Sequence, residues 1–169
     1  VKPYITASNS TGIIKTYFNR PVDLNMASPL SNTAQYISLA FDDTLKAYID
    51  RAINTLDIAI YSFDDTNTGQ ISAAVNDAYN RGVRVRLIAD GGNANAGLAN
   101  LNPAIPVLLS PTTPVNYYGI MHNKFFVIDA THPDATKPVI MSGSTNWSSD
   151  QLTVDRNNLL FIQDQSLAK

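Results

Sequence analysis

The feature that most constrains this chain is a strand–helix–strand unit within residues 56–89. Residues 56–61 (LDIAIY) and 83–89 (VRVRLIA) have the apolar pattern of strands, and residues 69–80 place apolar side chains at helical spacing. Gly82 follows the helix, where a left-handed cap is least costly for glycine. Because both turns are short, the two strands are expected to be parallel neighbours joined by a right-handed crossover. The unit therefore predicts an α/β sheet rather than a β-sandwich.

The rest of the chain continues the alternation of short strands and helical segments. Strands are predicted at residues 13–18, 105–109, 122–129, 139–142 and 158–162, and the longest helix at residues 33–54. A length of 169 residues fits one compact domain, and no internal repeat or linker divides it. We expect a single domain over residues 1–169, built on a mixed, largely parallel β-sheet with helices on both faces.

The composition removes several kinds of chemistry. The chain has no Cys, and its fourteen acidic residues are all Asp, so thiol nucleophiles, Cys-type zinc sites and Glu bases are excluded. His122 and His132 are the two imidazoles available for acid, base or nucleophilic work near neutral pH. The apolar stretches are shorter than the roughly 18 residues that cross a bilayer. A net charge of −2 gives no general basic field for nucleic acid, so any phosphate chemistry must be local.

The strand predicted at residues 122–129 (HNKFFVID) carries the most reactive group of side chains. Side chains alternate faces along a strand, so His122 and Lys124 point the same way, about 7 Å apart. Asp129 lies seven positions after His122, and this odd offset places it on the opposite face. We therefore expect Asp129 to hold structure rather than to react.

A second polar segment, GSTNWS at residues 143–148, follows the next strand. Gly143 permits close backbone approach, and Ser144 and Asn146 offer uncharged donors. Asn146 is also placed to begin a short helix, whose N–H groups favour an anion. The combination suits a phosphate: Lys124 and Asn146 neutralise its oxygens while neutral His122 attacks phosphorus.

The pattern H-x-K-x-x-x-x-D, followed by a strand and G-S-x-N, resembles the signature of the phospholipase D superfamily. The upstream segments DIAIY and RGVRVR are also similar to the amino-terminal half of that family. The resemblance implies a metal-independent phosphodiesterase that needs no cofactor and works through a covalent phosphohistidine. It implies a catalytic set of His122, Lys124 and Asp129, with phosphate bound by Lys124, Ser144 and Asn146.

Two departures from the family pattern bear on activity. Asn157 stands where members often place a Glu that orients the histidine, and an amide cannot stabilise an imidazolium as a carboxylate does. The mechanism also needs two histidines, whereas this chain has one motif, and His132 lacks its Lys and Asp companions. We expect the second motif from a homodimer mate or from a second half. We also expect a fragment that stops before an aromatic-bearing C-terminal helix.

The charge balance and the composition of the first residues bear on the substrate and on the cellular location. An acidic balance favours a phospholipid or another small diester over long nucleic acid. A single-motif dimeric endonuclease is the alternative, and a catalytically silent binding module with the same fold is another, motivated by Asn157 and the single motif. The polar start, rich in Thr, Ser and Asn, indicates an exported protein, secreted or periplasmic.

Other notable residues are interpreted as structural. Arg84 and Arg86 share a strand face and are more typical of paired charges than of a phosphate patch. Trp147 fits a pocket wall and a core position equally well. The Asp64-Asp65 pair indicates a turn, and the segment Asp90-Gly91-Gly92 is only weakly similar to a phosphate loop, since it lacks the lysine and the spacing.

Overall fold

The computed structural model describes residues 10–21, 23, 25, 35–37, 41–64, 69–112 and 119–169. The strands are β1 (Ser10–Phe18), β2 (Gln35–Tyr36), β3 (Thr55–Ile60), β4 (Phe63–Asp64), β5 (Arg84–Ala89), β6 (Val107–Leu109), β7 (Lys124–Ile128), β8 (Val139–Gly143), β9 (Trp147–Ser148) and β10 (Asn158–Asp164). The helices are α1 (Phe41–Ile49), α2 (Gln70–Asn80), α3 (Ser149–Thr153) and α4 (Gln165–Ala168), with a 3₁₀ turn at Ala96–Asn100. None of the helices in these ranges has the length and apolarity to cross a membrane.

The main sheet has eight strands in the order β2-β1-β10-β8-β7-β3-β5-β6, and β4 pairs with β9 in a small second sheet. Pairs β3–β5, β5–β6 and β1–β2 are parallel, whereas β1–β10, β10–β8, β8–β7 and β7–β3 are antiparallel. The mixed α/β sheet is therefore confirmed, and so is the parallel pair of the strand–helix–strand unit. Gly82 has a φ of 89°, the left-handed cap expected after α2.

One face of the sheet carries the hydrophobic core. Alternate residues of β3, β5 and β7 point to the same side, because directly paired residues share a face. Helices α1 and α2 contact each other, and their buried side chains join those strands in one cluster. On the opposite face, Asp57, Ile88 and Phe125 remain partly exposed. Among the described residues, α1 and α2 thus pack on the core face of the sheet.

The helix predicted at residues 33–54 is wrong at its start. Gln35–Tyr36 form β2, which pairs with the end of β1, and the Ile37 N–H continues that pairing by donating to the Phe18 carbonyl at 2.8 Å. Helix α1 spans Phe41–Ile49, and residues 33, 34 and 38–40 lie outside the described ranges. The apolar spacing runs through both elements, so periodicity alone does not locate the boundary.

The topology gathers several strand ends at one edge of the sheet. Ile60, the last residue of β3, pairs with Lys124, the first of β7, and also with Ala89, the last of β5. Gly143, the last residue of β8, pairs with Leu159 near the start of β10. The residues just beyond these ends therefore meet at one edge. They are Tyr61, Asp90, His122, Ser144 and Asn157.

Candidate active site

His122 and Lys124 meet at the start of β7 around one aromatic ring. Lys124 is 9% exposed, and its Nζ donates to the His122 carbonyl at 3.3 Å and lies 5.0 Å from the centroid of the Tyr61 ring. His122 is exposed, and its imidazole lies 4.5 Å from the same ring, centroid to centroid, at 66°. An imidazole and an ammonium thus share one surface beside Tyr61, although His122 lies just before β7 and not within the strand predicted at residues 122–129.

The charge of Lys124 has no acidic partner in the part of the chain that the structure describes, since the ion pairs there involve other residues. Burial lowers the pKa of the Lys124 ammonium below its usual range. A carbonyl and a ring face offset only part of the lost hydration. Lys124 is therefore a partly dehydrated cation that an anion at this surface would stabilise.

Tyr61 was not identified as a site residue from the sequence. It counted as the last residue of a strand, whereas β3 ends at Ile60 and the Tyr61 N–H donates to the Asn123 carbonyl at 2.7 Å. That bond joins the end of β3 to the residue between His122 and Lys124. The available signal was position, because the carboxyl ends of parallel strands are where ligands bind in α/β sheets.

Asp129 lies at the opposite end of β7 and is 1% exposed. Its Oδ1 accepts from the N–H groups of Asn54 at 2.6 Å and Thr55 at 2.8 Å. Its Oδ2 accepts from the Ile53 N–H at 3.0 Å, and the residue has a φ of 54°. The carboxylate therefore fixes the chain entering β3. Of the three motif residues, the structure brings His122 and Lys124 together and leaves Asp129 apart from them.

Gly143 and Ser144 form the junction between β8 and β10. A Cβ added to Gly143 would lie 2.3 Å from the Asn158 carbonyl oxygen, so the close approach expected at this glycine is confirmed, although to the chain's own backbone. Ser144 Oγ donates to Asn157 Oδ1 at 2.8 Å and accepts from the Asn158 N–H at 3.1 Å. The start of β10 thus holds Ser144 at the site edge.

Asn157 is 8% exposed and supports Ser144 rather than the histidine. Its Nδ2 donates to the Gln151 carbonyl at 2.9 Å, and its N–H donates to Asn19 Oδ1 at 2.9 Å. Among the hydrogen bonds of the described residues, none joins Asn157 to His122. The imidazole of His122 contacts the ring of Tyr61 instead.

Asn146 lies on the turn between β8 and β9, and its buried Oδ1 has no hydrogen-bond partner among the described residues. No described hydrogen bond links it to His122 or Lys124. The expectation that Asn146 begins a helix is wrong, because Trp147–Ser148 pair with Phe63–Asp64 as a strand and α3 begins at Ser149. Trp147 is fully buried with its ring 5.2 Å from that of Phe63, which places it in the core.

The remaining candidates lie in structural contacts. His132 Nδ1 accepts from the Asp134 N–H at 3.0 Å in the loop before β8. Arg86 Nε lies 2.5 Å from Asp57 Oδ1, and this carboxylate raises the pKa of the guanidinium, which confirms the paired-charge interpretation for Arg86.

Arg84 is exposed on the same strand. Asp64 lies in β4 rather than in a turn, and Asp65 lies outside the described residues. Within those residues, no group of three or more His, Asp, Glu or Cys side chains is placed to hold a metal ion.

Comparisons with known proteins add to this geometry. A family model described as "Cardiolipin synthase, PLD-like domain" matches residues 45–169. The mitochondrial cardiolipin hydrolase of Xenopus tropicalis is 30% identical over 122 residues, which cover 70% of this chain and 51% of the relative. That of Drosophila melanogaster is 30% identical over 159 residues, which cover 83% of this chain and 58% of the relative. The chain thus spans little more than half the length of these relatives.

Solved structures show the same architecture. The phospholipase D family member Nuc from Salmonella typhimurium superposes with a TM-score of 0.63 at 21% identity, covering 92% of this chain and 86% of that one. NucT from Helicobacter pylori superposes with a TM-score of 0.61 at 25% identity, covering 92% and 89%. These superpositions extend over nearly the whole of each chain, so the chain shares the fold of these proteins.

Proposed function

The chain belongs to the family of phospholipase D-like domains, as its motifs predicted, and we propose that it hydrolyses phosphodiester bonds with His122 as the nucleophile. One observation carries the proposal. An exposed imidazole and a buried ammonium, which has no acidic partner among the described residues, face the same aromatic ring. The family membership supports the reaction class, and the arrangement supplies a nucleophile beside an anion-binding cation.

The proposed reaction has two balanced steps. A ring nitrogen of His122 attacks phosphorus, forming a P–N bond as the bond to the leaving oxygen breaks, and a second imidazolium protonates that oxygen. The second imidazole then takes a proton from water, whose oxygen attacks phosphorus and releases His122. Lys124 binds the non-bridging oxygens throughout. His132 is held in a distant loop contact, so we assign the second imidazole to His122 of another copy.

We propose a phospholipid diester as the substrate, with cardiolipin as the first candidate. Relatives named cardiolipin hydrolase, and one from Rickettsia conorii named phospholipase D, support this choice. The net charge of −2 also favours a compact diester, because binding of a long polyanion relies on many Lys and Arg contacts. Single-stranded DNA is the competing substrate.

The test is hydrolysis of cardiolipin vesicles and of single-stranded DNA by the purified chain, both in EDTA. We expect lipid turnover to persist in EDTA and to fall by at least about 10³-fold in His122→Asn, since that substitution removes the nucleophile. His132→Asn is the matched control and should retain activity. Unchanged turnover in His122→Asn contradicts the proposal. Cleavage of DNA alone supports the endonuclease alternative, and no turnover of either by the dimer supports a binding module.

The two-copy site has its own test. Light scattering should show a dimer, and an equimolar mixture of wild type with His122→Asn should exchange subunits. If each site needs both histidines, mixing lowers the activity of the added wild-type protein to about half, because only wild-type pairs remain active. Sites that work independently retain the full activity and contradict the shared site.

A further inference from the structure

The loop after β5 contains a buried carboxylate that the proposed chemistry does not use. Asp90 follows Ala89 at the site edge and is 2% exposed. Its Oδ1 accepts from the Met121 N–H at 2.8 Å, and its Oδ2 accepts from the Gly92 N–H at 2.9 Å. Met121 immediately precedes His122. This segment, Asp90-Gly91-Gly92, is only weakly similar to a phosphate loop. Its Asp90 carboxylate points inward and accepts from the backbone beside His122.

Two asparagines of the same loop hold the other side of the site. Asn95 is 5% exposed with a φ of 44°, and its Nδ2 donates to the Asp90 carbonyl at 2.7 Å. Its Oδ1 accepts from the Phe63 N–H at 2.8 Å. Asn93 Nδ2 donates to the Tyr61 carbonyl at 3.0 Å. One loop thus grips the backbone next to His122 and the backbone around Tyr61, the ring that contacts His122.

We propose that Asp90 is a positioning residue for His122, and that Asp90, Asn93 and Asn95 together form a clamp that sets the imidazole against the Tyr61 ring. The inference rests on the proposed function, because the exact placement of His122 matters to turnover only if the imidazole reacts. A misplaced reacting group costs rate even when the substrate still binds. The clamp acts through backbone positions and does not touch the substrate.

The hydrogen-bond pattern requires a carboxylate at this position. Each oxygen already accepts from a backbone N–H, and Ser110 Oγ and Asn93 Nδ2 add longer contacts at 3.4 Å. No ion pair of the described residues involves Asp90, so N–H and O–H donors balance its charge. An amide offers one acceptor oxygen, so Asp90→Asn turns an NH₂ group towards either Met121 or Gly92.

The experiment compares Asp90→Asn with Ser110→Ala, which removes the 3.4 Å contact to Asp90 and the acceptor of the Gly91 N–H but leaves the Met121 bond in place. In protein shown to be folded, Asp90→Asn should lower kcat by about 10- to 100-fold and leave KM within about threefold, because positioning rather than binding is lost. Ser110→Ala should stay near wild type. If folded Asp90→Asn keeps its kcat, or if KM rises in place of the kcat loss, the proposal is overturned.

A second measurement needs no turnover, so it separates the clamp from the proposed function. Amide hydrogen exchange at Met121 should become faster in Asp90→Asn, while the Ile58 amide within β3 keeps its protection. Unchanged Met121 exchange overturns the clamp even if the enzyme is active. If wild type hydrolyses no diester, the proposed function fails, and the exchange result still decides whether Asp90 holds this backbone.

A third variant covers the case in which Asp90→Asn does not fold. Asn93→Ala releases the Tyr61 carbonyl and removes only the 3.4 Å contact to Asp90 Oδ2, so both backbone N–H bonds to the Asp90 carboxylate stay in place. We expect kcat to fall about three- to tenfold with KM little changed, because the ring that contacts His122 is less firmly held. An unaltered kcat in folded Asn93→Ala overturns the clamp.

Discussion

Strand β7 has a charged side chain near each end, and the two side chains differ in the partners that the surrounding chain provides. At one end, Asp129 accepts from three backbone N–H groups, so the protein itself supplies its partners. At the other end, buried Lys124 reaches one carbonyl and a ring face, and none of the described ion pairs involves it. A buried charge that is fully hydrogen-bonded by the protein's own groups stabilises the fold, whereas a buried charge that lacks such partners is available to bind a ligand.

Of the substitutions that test this difference, the one at Lys124 is expected to have the largest effect on activity. Lys124→Met keeps most of the side-chain volume and removes the cation. We expect kcat/KM to fall by about 10³-fold, since one preorganised electrostatic contact to the transition state is lost. The melting temperature should hold or rise, because a buried charge that has no acidic partner in the described part of the chain no longer has to be accommodated.

Steady-state kinetics and thermal unfolding of the same preparation measure both quantities. Lys137→Met, at an exposed lysine in the loop before β8, is the control and should change neither. If Lys124→Met unfolds more readily but retains its activity, the prediction is contradicted and Lys124 has a structural role.

The opposite substitution, at the Asp129 end, should affect stability instead of chemistry. Asp129→Ala leaves three backbone N–H groups without their acceptor, and we expect the free energy of unfolding to fall by about 3 kcal/mol. The folded fraction should keep kcat within about twofold, because Asp129 does not touch the reacting atoms.

Urea unfolding and activity corrected for the folded fraction test this pair of outcomes. Asp77→Ala, at an exposed residue of α2, serves as the control and should change stability by less than about 0.5 kcal/mol. A large loss of kcat in well-folded Asp129→Ala would place Asp129 in the chemistry after all.

A smaller effect is expected at Tyr61, which joins the two site side chains. Tyr61→Leu removes the ring that contacts His122 and Lys124, and we expect kcat to fall about tenfold through loss of positioning. Tyr61→Phe keeps the ring and should remain within about twofold of wild type. Equal losses in both variants would assign the effect to the hydroxyl instead of the ring.

Tyr61 and Asp90 also mark the limit of what the sequence could predict. Strand parity predicted a shared surface for His122 and Lys124, because alternation is a local property of an extended chain. Asp129 is apart from them because it lies just past the other end of β7, with a φ of 54°. The Tyr61 and Asp90 contacts depend on which strands are neighbours, and β3 pairs with β7 across more than sixty residues of sequence. The start of the predicted helix at residues 33–54 was wrong for the same reason, since pairing with β1 decides it.

The smallest effect expected is in the titration of Lys124. Its pKa is lowered by burial from an ordinary value of 10.5, so the unfolded chain binds more protons than the folded one between those two values. The free energy of unfolding should therefore rise with pH through that window, and the penalty for charging Lys124 is fully present below it. Inorganic phosphate should bind less tightly as pH rises through the lowered pKa. NMR titration of Lys124 Nζ with and without phosphate measures its pKa and the change in that pKa on phosphate binding, and urea unfolding at several pH values measures the free energy. Lys124→Met should abolish the pH dependence of phosphate binding. A Lys124 that titrates at the ordinary value of 10.5 would contradict the proposed electrostatic difference between the two ends of β7.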